Sequence, residues 1–497
     1  MQKKFLVNLA FLILLNLLVK PFWIFGIDRT VNNTVGVVDY GFYFTIFNFS
    51  YMFYILLDIG ITNFNNRNIA QHVHMLNKHF SSLVILKFLL LGFYIVVTFI
   101  VALILGYRGN QLVLLAWVSF NNFLMSFILY LRSNISGMLM FVTDSILSVL
   151  DKALMIGICA VLLWGNLTGG VFKIEWFVYA QTVAYLITVI VAWIIVVRKA
   201  KFRKLTWNRA FFIVILKKSL PYATLVMLMA VYYKVDSVFI ERLIGGVEGK
   251  RQAGIYAQGF RLLDAVNQFA WLTAILLLPI YARMIKMKAD VGKMVRLPYA
   301  LMLTTAIVIV AASFFYRSEI MGLLYPRGEV QTEAEYSMQH AETTRVFGIL
   351  MFGFLGIVTM YVYSTLLTAN GNLKHLNIVA LAGITLNFLF NFILVPRLQA
   401  TGGAIASLIT QISTAAGYLL IARHFFKFRT DFRFIGTIIF FGLLVVGISL
   451  ISRMLEFHWL VNLALMLVAS FTAAFILRLI NIPEMMRLVK ERASGEN

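Results

Sequence analysis

About fourteen helix-length apolar stretches fill the chain between residues 5 and 480, and several hold a lysine, arginine or aspartate well inside. A hydrocarbon layer offers the backbone no water, so each such stretch has to satisfy its own N–H and C=O groups as a helix. With 61% hydrophobic and only 13% charged residues over 497 positions, no soluble domain could bury so much apolar side chain. The sequence describes an all-α integral membrane protein. Its first run, 5–27, follows Lys3 and Lys4 as the charged start of a signal peptide would. That run is long enough to span and has no small-residue cleavage site before Asp28, so it is expected to be the first transmembrane helix.

Windows of about 20 residues place spans at 5–27, 38–61, 82–105, 111–131, 140–163 and 174–197, then at 219–241, 254–282, 298–323, 343–369, 375–396, 402–423, 433–452 and 459–480. Lys and Arg collect in loops that stay cytoplasmic, and an inside N-terminus gives roughly 27 of the 43 at cytoplasmic segments. Both termini are then cytoplasmic. The densest cluster runs from Arg198 to Lys218, and a second holds Arg283, Lys286, Lys288, Lys293 and Arg296. These loops explain most of the +22 net charge without a nucleic-acid partner, and they suit anionic lipid headgroups.

The chain repeats itself. GFYFTIFNFSYMFYILLDIGITNFNNRNIAQ from Gly41 aligns with GIYAQGFRLLDAVNQFAWLTAILLLPIYARM from Gly254, and nearly the same offset pairs Lys20 with Lys234. Two parallel six-helix halves follow from this repeat, with ligands expected between them. The division is 1–197 for the N-terminal half, 198–218 for a basic cytoplasmic linker and 219–424 for the C-terminal half. Two appended helices at 425–480 and a cytoplasmic tail at 481–497 complete it.

Ionisable residues inside spans carry any chemistry this chain performs. Each costs at least about 2.5–3.5 kcal/mol at the helix centre unless paired or hydrated, so such groups face the interior of the bundle. Lys20, Lys234, Asp236, Arg261, Asp264 and Arg345 fall in the outer half, Asp151 and Lys152 near the midplane, and Asp58 and Arg67 towards the cytoplasmic end. Arg261 and Asp264 are neighbours on one helix face and fit a structural ion pair as well as a site. Asp144, Ser148 and Asp151 share a face, with Lys152 about 100° round, an arrangement that suits charge packing against neighbouring helices. Lys20 has no local acid and is the best single candidate. Lys87, near a boundary, is expected to snorkel to the interface. Asn121, Asn122, Asn387 and Asn391 suit interhelical hydrogen bonds, and Gly353, Gly356, Gly402 and Gly403 suit close helix packing. There is no P-loop or H-E-x-x-H motif, and Cys159 is the single cysteine. No cofactor, metal or enzymatic activity is expected.

The two aligned segments, together with LPYATLVMLMAVYYKVDSVFIERL before the second and the fourteen-span plan, resemble the polysaccharide-biosynthesis flippases. These belong to the multidrug/oligosaccharidyl-lipid/polysaccharide exporter superfamily, which also holds the multidrug and toxin extruders. Asp58, Gly60 and Arg67 match the family pattern at the end of span 2, Asp236 the aspartate of span 7 and Pro279 the proline closing span 8. The connection at 28–39 is longer than the family's usual one. The resemblance implies the extruder-like fold of two pseudo-symmetric halves plus two C-terminal helices. It also implies alternating-access movement of an undecaprenyl-pyrophosphate-linked oligosaccharide to the outer leaflet of a bacterial inner membrane.

A doubly anionic cargo needs a cationic cavity, for which Lys20, Arg67, Lys152, Lys234, Arg261 and Arg345 are the candidates. Asp58, Asp151, Asp236 and Asp264 are left to ion coupling or ion pairing. Membrane lipids, and polymerases and glycosyltransferases of the same pathway, are the implied partners. A cation-coupled drug antiporter of the same superfamily and a membrane polysaccharide polymerase or ligase remain the alternatives.

Overall fold

A computed structural model describes residues 18–62, 75–165, 172–200, 209–287, 291–328, 331–428 and 431–480, and the single positions 15, 16, 65, 69 and 207. Among these residues there are helices, turns and short irregular connections but no strand. The chain forms two compact units, Met1–Glu241 with Gly246–Gly254, and Arg242–Gly245 with Ile255–Asn497.

The first unit begins with a π-helical segment, Phe22–Asp28, followed by α1 (Arg29–Met52) and a 3-10 turn, Tyr54–Leu57. It continues with α2 (Met75–Ile104), α3 (Asn110–Gly137), α4 (Phe141–Trp164), α5 (Ile174–Ala200), α6 (Arg209–Lys234) and most of α7 (Asp236–Ile244). The connection expected at 28–39 is helical, interrupted only at Gly36, whose φ of 83° lies in the left-handed region that glycine enters without strain.

The second unit holds most of α8 (Gly246–Lys286), then α9 (Val291–Phe315), α10 (Arg317–Leu324), α11 (Glu333–Ala369), α12 (Leu373–Phe426), α13 (Phe432–Met454) and α14 (Trp459–Ile476). At 1.5 Å per residue, the 54 residues of α12 would reach about 80 Å, far beyond one crossing. The helix breaks at Gln399, at φ 51°, shortly after Pro396, whose missing N–H weakens the ladder there. Two spans therefore share this stretch, as the sequence suggested.

Among the described residues, nine helices are long and apolar enough to cross a membrane. A tenth is counted if Ser219–Lys234 and Asp236–Ile244, bent by 47°, form one broken span. This does not confirm the expected fourteen: α12 is counted once, and residues 5–14 and 17 of the first expected span lie outside the described residues.

In the first unit Leu83, Leu124, Phe127, Tyr130, Leu131 and Ala192 pack α2, α3 and α5 together. In the second, Val308, Tyr316, Phe441, Val445 and Met466 tie α9 to α13 and α14. The outward faces of α2 and α13 expose Phe93, Val96, Ile100, Ile439 and Leu443, an apolar surface suited to lipid. Several polar side chains inside are paired instead. Asn122 donates to Ser50 Oγ (2.9 Å) and Tyr94 Oη (3.3 Å), and Asn121 donates to the Val178 carbonyl at 3.1 Å. Asn391 donates to Asn387 Oδ1 one turn earlier on its own helix, at 3.0 Å.

The two glycines that head the aligned segments touch. A Cβ on Gly41 would lie 2.0 Å from the Lys250 carbonyl oxygen, and one on Gly254 would lie 2.0 Å from the Val37 carbonyl oxygen. Small residues at this crossing bring two backbones into direct contact. Gly356 and Gly402 do the same in the second unit, against the backbones of Gln411 and Leu394.

We predict that Gly41→Ala or Gly254→Ala lowers stability by about 1–3 kcal/mol through overpacking, read as the thermal midpoint of the detergent-purified protein. Gly92→Ala, whose Cβ meets nothing within 4 Å, serves as the control and should be neutral or mildly stabilising. Equal midpoints for all three would refute the close crossing. At the start of α11, the Thr332 backbone N–H and hydroxyl donate to Glu335 and hold its carboxyl below the usual range. That contribution is complete above the ordinary carboxylate pKa and is lost as pH falls through the lowered one. Hydrogen-exchange protection of this first turn should therefore fade on acidification in the wild type and already be reduced at neutral pH in Thr332→Ala.

Candidate functional site

Lys20 lies in the helical turn just before Pro21, and the π-helical segment begins at Phe22. Proline has no N–H to donate to the preceding turn, and the wider winding that follows carries Trp23 over the α4 lysine. The Lys152 ammonium sits 5.4 Å from the Trp23 ring centroid and 5.2 Å from that of Tyr185, a cation–π arrangement. Trp23 is also stacked on Phe177, 5.6 Å between centroids. Lys152 donates to Tyr185 Oη at 3.2 Å and pairs with Asp151 Oδ2 at 3.3 Å. One turn earlier, Ser148 accepts from Asn16 at 3.1 Å. Further along, Arg132 of α3 pairs with Asp144 at 2.8 Å.

Lys20 makes no hydrogen bond or ion pair to a described residue, yet the charges of Lys152, Asp151 and Arg132 act on it. Among the described residues three cations thus meet two carboxylates, so the half-buried cluster keeps one surplus positive charge there. The structure brings together Lys20, Asp151 and Lys152, three of the residues singled out by sequence, and adds Arg132, Trp23 and Tyr185. Arg132 lies one residue beyond the expected span 111–131, where a cation is unremarkable.

Asp58 belongs to a different cluster. After the 3-10 turn the chain passes through Ile59 (φ 42°) and Gly60 (φ 80°). Lys87 reaches across from α2 to Asp58 Oδ1 at 2.5 Å, the Leu57 carbonyl at 3.0 Å and Ser126 Oγ at 3.0 Å. Its side chain is 0% exposed. The expected snorkelling of Lys87 is therefore wrong: with an acid and two further oxygens in reach, the ammonium stays inside. A separation of 29 residues hides this pair from any helical spacing rule.

Lys234 is buried at the end of α6, its ammonium 5.0 Å from the Tyr233 ring and 6.0 Å from that of Tyr51, and Asp236 is buried at the start of α7 beyond the bend. Arg261 and Asp264 are half-buried on α8 in the second unit, and Arg345 is exposed on α11. Arg67 lies outside the described residues. Asp28, assigned by sequence to a connection, is buried and accepts a hydrogen bond from Tyr40 Oη at 2.8 Å.

Long apolar helices, broken spans and charges held within them define a polytopic membrane protein with a transporter fold. Solved structures agree. The fold matches "Lipid II flippase MurJ, inward closed conformation" with a TM-score of 0.64 at 13% identity, covering 88% of this chain and 95% of that one. It also matches a MOP superfamily transporter from Pyrococcus furiosus (TM-score 0.55, 13% identity, 85% and 93% covered). The Vibrio cholerae MATE transporter VcmN in its bent form is a third (TM-score 0.53, 13% identity, 86% and 97% covered). At such identities the likeness is one of fold. The family model described as Polysaccharide biosynthesis protein matches residues 5–285, more than half of the chain, and the protein belongs to that family. No curated protein matches it in sequence.

The Arg132–Asp144 pair should show a coupling energy of roughly 0.5–3 kcal/mol in a double-mutant cycle of Arg132→Gln and Asp144→Asn, measured from thermal midpoints. Strict additivity would mean that the two side chains do not stabilise each other.

Proposed function

We propose that this protein is a flippase that carries a polyprenyl-pyrophosphate-linked oligosaccharide from the cytoplasmic to the outer leaflet of a bacterial inner membrane, with both termini cytoplasmic. The observation that carries this reading is Lys20, a cation within an apolar stretch, with no hydrogen-bond or ion-pair partner among the described residues and beside a cluster already rich in positive charge. A group so costly to bury is retained where it meets an anion that comes and goes. A pyrophosphate supplies that anion, and membership of a polysaccharide-biosynthesis family supports a glycan attached to it.

In this reading Lys20 and Lys152 engage the phosphate oxygens, Lys152 being held in place by Asp151, Tyr185 and Trp23. Lys234, Arg261 and Arg345 are further candidates along the path. Moving two negative charges outward across a negative-inside potential releases roughly 2.3 kcal/mol per charge per 100 mV, so export needs no ATPase. The protein moves its cargo without making or breaking a bond, and pathway glycosyltransferases and a polymerase act before and after it.

Deleting the gene in its host should trap complete lipid-linked repeat units where a membrane-impermeant glycan probe added outside cannot reach them. Wild type should restore access. Lys20→Ala and Lys152→Ala should each lower flipping in reconstituted vesicles about tenfold or more, the value of one charge-assisted contact at about 1.5–3 kcal/mol, and Lys20→Arg should recover part of it. Repeat units that reach the outside but stay unpolymerised would replace this reading with an enzyme acting after translocation.

A further inference from the structure

The oxygens around the Lys87 nitrogen form a set of their own. The Leu57 carbonyl (3.0 Å), Asp58 Oδ1 (2.5 Å) and Ser126 Oγ (3.0 Å) take one contact each, which uses the three N–H donors of an ammonium. Ser126 in turn donates to the same Leu57 carbonyl at 3.2 Å, and the Thr62 hydroxyl and backbone N–H bind Asp58. The Tyr130 ring centroid lies 5.9 Å from the nitrogen, so a π face borders the site. Nothing else about the nitrogen is open, since Lys87 is wholly buried.

One carboxylate, one main-chain carbonyl and one hydroxyl oxygen are hard-cation ligands. The 2.5–3.0 Å distances exceed the 2.0–2.1 Å that Mg2+ requires, and a single carboxylate suits a single charge. The ligands also sit where a cation is needed. Span 2 unwinds here, and the left-handed Ile59 and Gly60 that follow leave the Leu57 carbonyl without a helical donor. A β-branched residue at φ 42° is strained and persists only where its surroundings hold it.

We propose that Leu57, Asp58 and Ser126 form a monovalent-cation site, suited to an ammonium- or potassium-sized ion, that the protein fills permanently with its own Lys87 side chain. The tethered ammonium takes the place of an exchangeable ion, so the break in span 2 is held whatever the salt on either side. Asp58 is thereby withdrawn from ion coupling. This inference is independent of the identity of the cargo.

The test removes the tether and offers free ions. Purified full-length wild type, Lys87→Ala and Lys87→Ala/Asp58→Asn are melted in ammonium, methylammonium, potassium and sodium chlorides, each against N-methylglucamine chloride at equal ionic strength. Lys87→Ala should melt several degrees below wild type in N-methylglucamine. It should recover with the logarithm of ammonium, methylammonium or potassium concentration, as a saturating ligand requires, while the wild type stays unchanged. The double variant, lacking the anionic ligand, should be indifferent to these ions and melt above the single variant in N-methylglucamine. No ion-specific recovery of Lys87→Ala would overturn the proposal. If Lys87→Ala does not survive extraction from the membrane, the double variant decides. Its survival supports an unmet cation site, and its failure assigns the loss to the packing of the lysine stem and rejects the site.

Discussion

A buried ammonium bound to a carboxylate closes the point at which the second span ceases to be helical. Hydrocarbon tolerates an irregular backbone only where every polar group finds a partner inside the protein. The Leu57 carbonyl and the Asp58 carboxylate find theirs in Lys87, and Ser126 completes the set. This links α2, α3 and the unwound end of span 2 through hydrogen bonds, beside the apolar packing of Leu83, Phe127, Tyr130 and Leu131. Breaking such a pair by removing one partner leaves an uncompensated charge, which is why the two residues behave as one structural element.

The cluster around Lys20 is arranged differently. Its acids are fewer than its bases, its side chains are only partly buried, and aromatic faces take part of the load that carboxylates take at Lys87. A balanced, sealed pair suits a fixed joint. A surplus cation beside polar and aromatic groups suits a guest that brings negative charge and then leaves. The chain belongs to a polysaccharide-biosynthesis family and shares its fold with solved membrane transporters.

Much of the architecture was legible along the chain. Apolar length identified the helices, the separate spans expected at 375–396 and 402–423 anticipated the break at Gln399, and the Gly41/Gly254 alignment singled out two glycines that come into contact. Of the site, Lys20, Asp151 and Lys152 could be named because a charge in an apolar stretch is conspicuous. Their company could not, because Arg132 and Tyr185 come from two other segments, and neither they nor Trp23, three residues after Lys20, is unusual where it stands. Lys87 was misassigned for the same reason: its acid lies 29 residues away on another element.

The sequence by itself determined that this is a helical membrane protein, roughly where its helices run, and which side chains carry charge into hydrocarbon, since all three depend on local composition and length. Tertiary structure decided which of those charges are neutralised. Lys87 and Lys152 are both lysines inside apolar stretches, yet one is sealed against Asp58, Leu57 and Ser126 while the other shares its acid with the field of Lys20, which has no hydrogen-bond or ion-pair partner among the described residues. Coulomb energy and desolvation depend on distances through space between different helices, and the order of residues along the chain does not contain those distances.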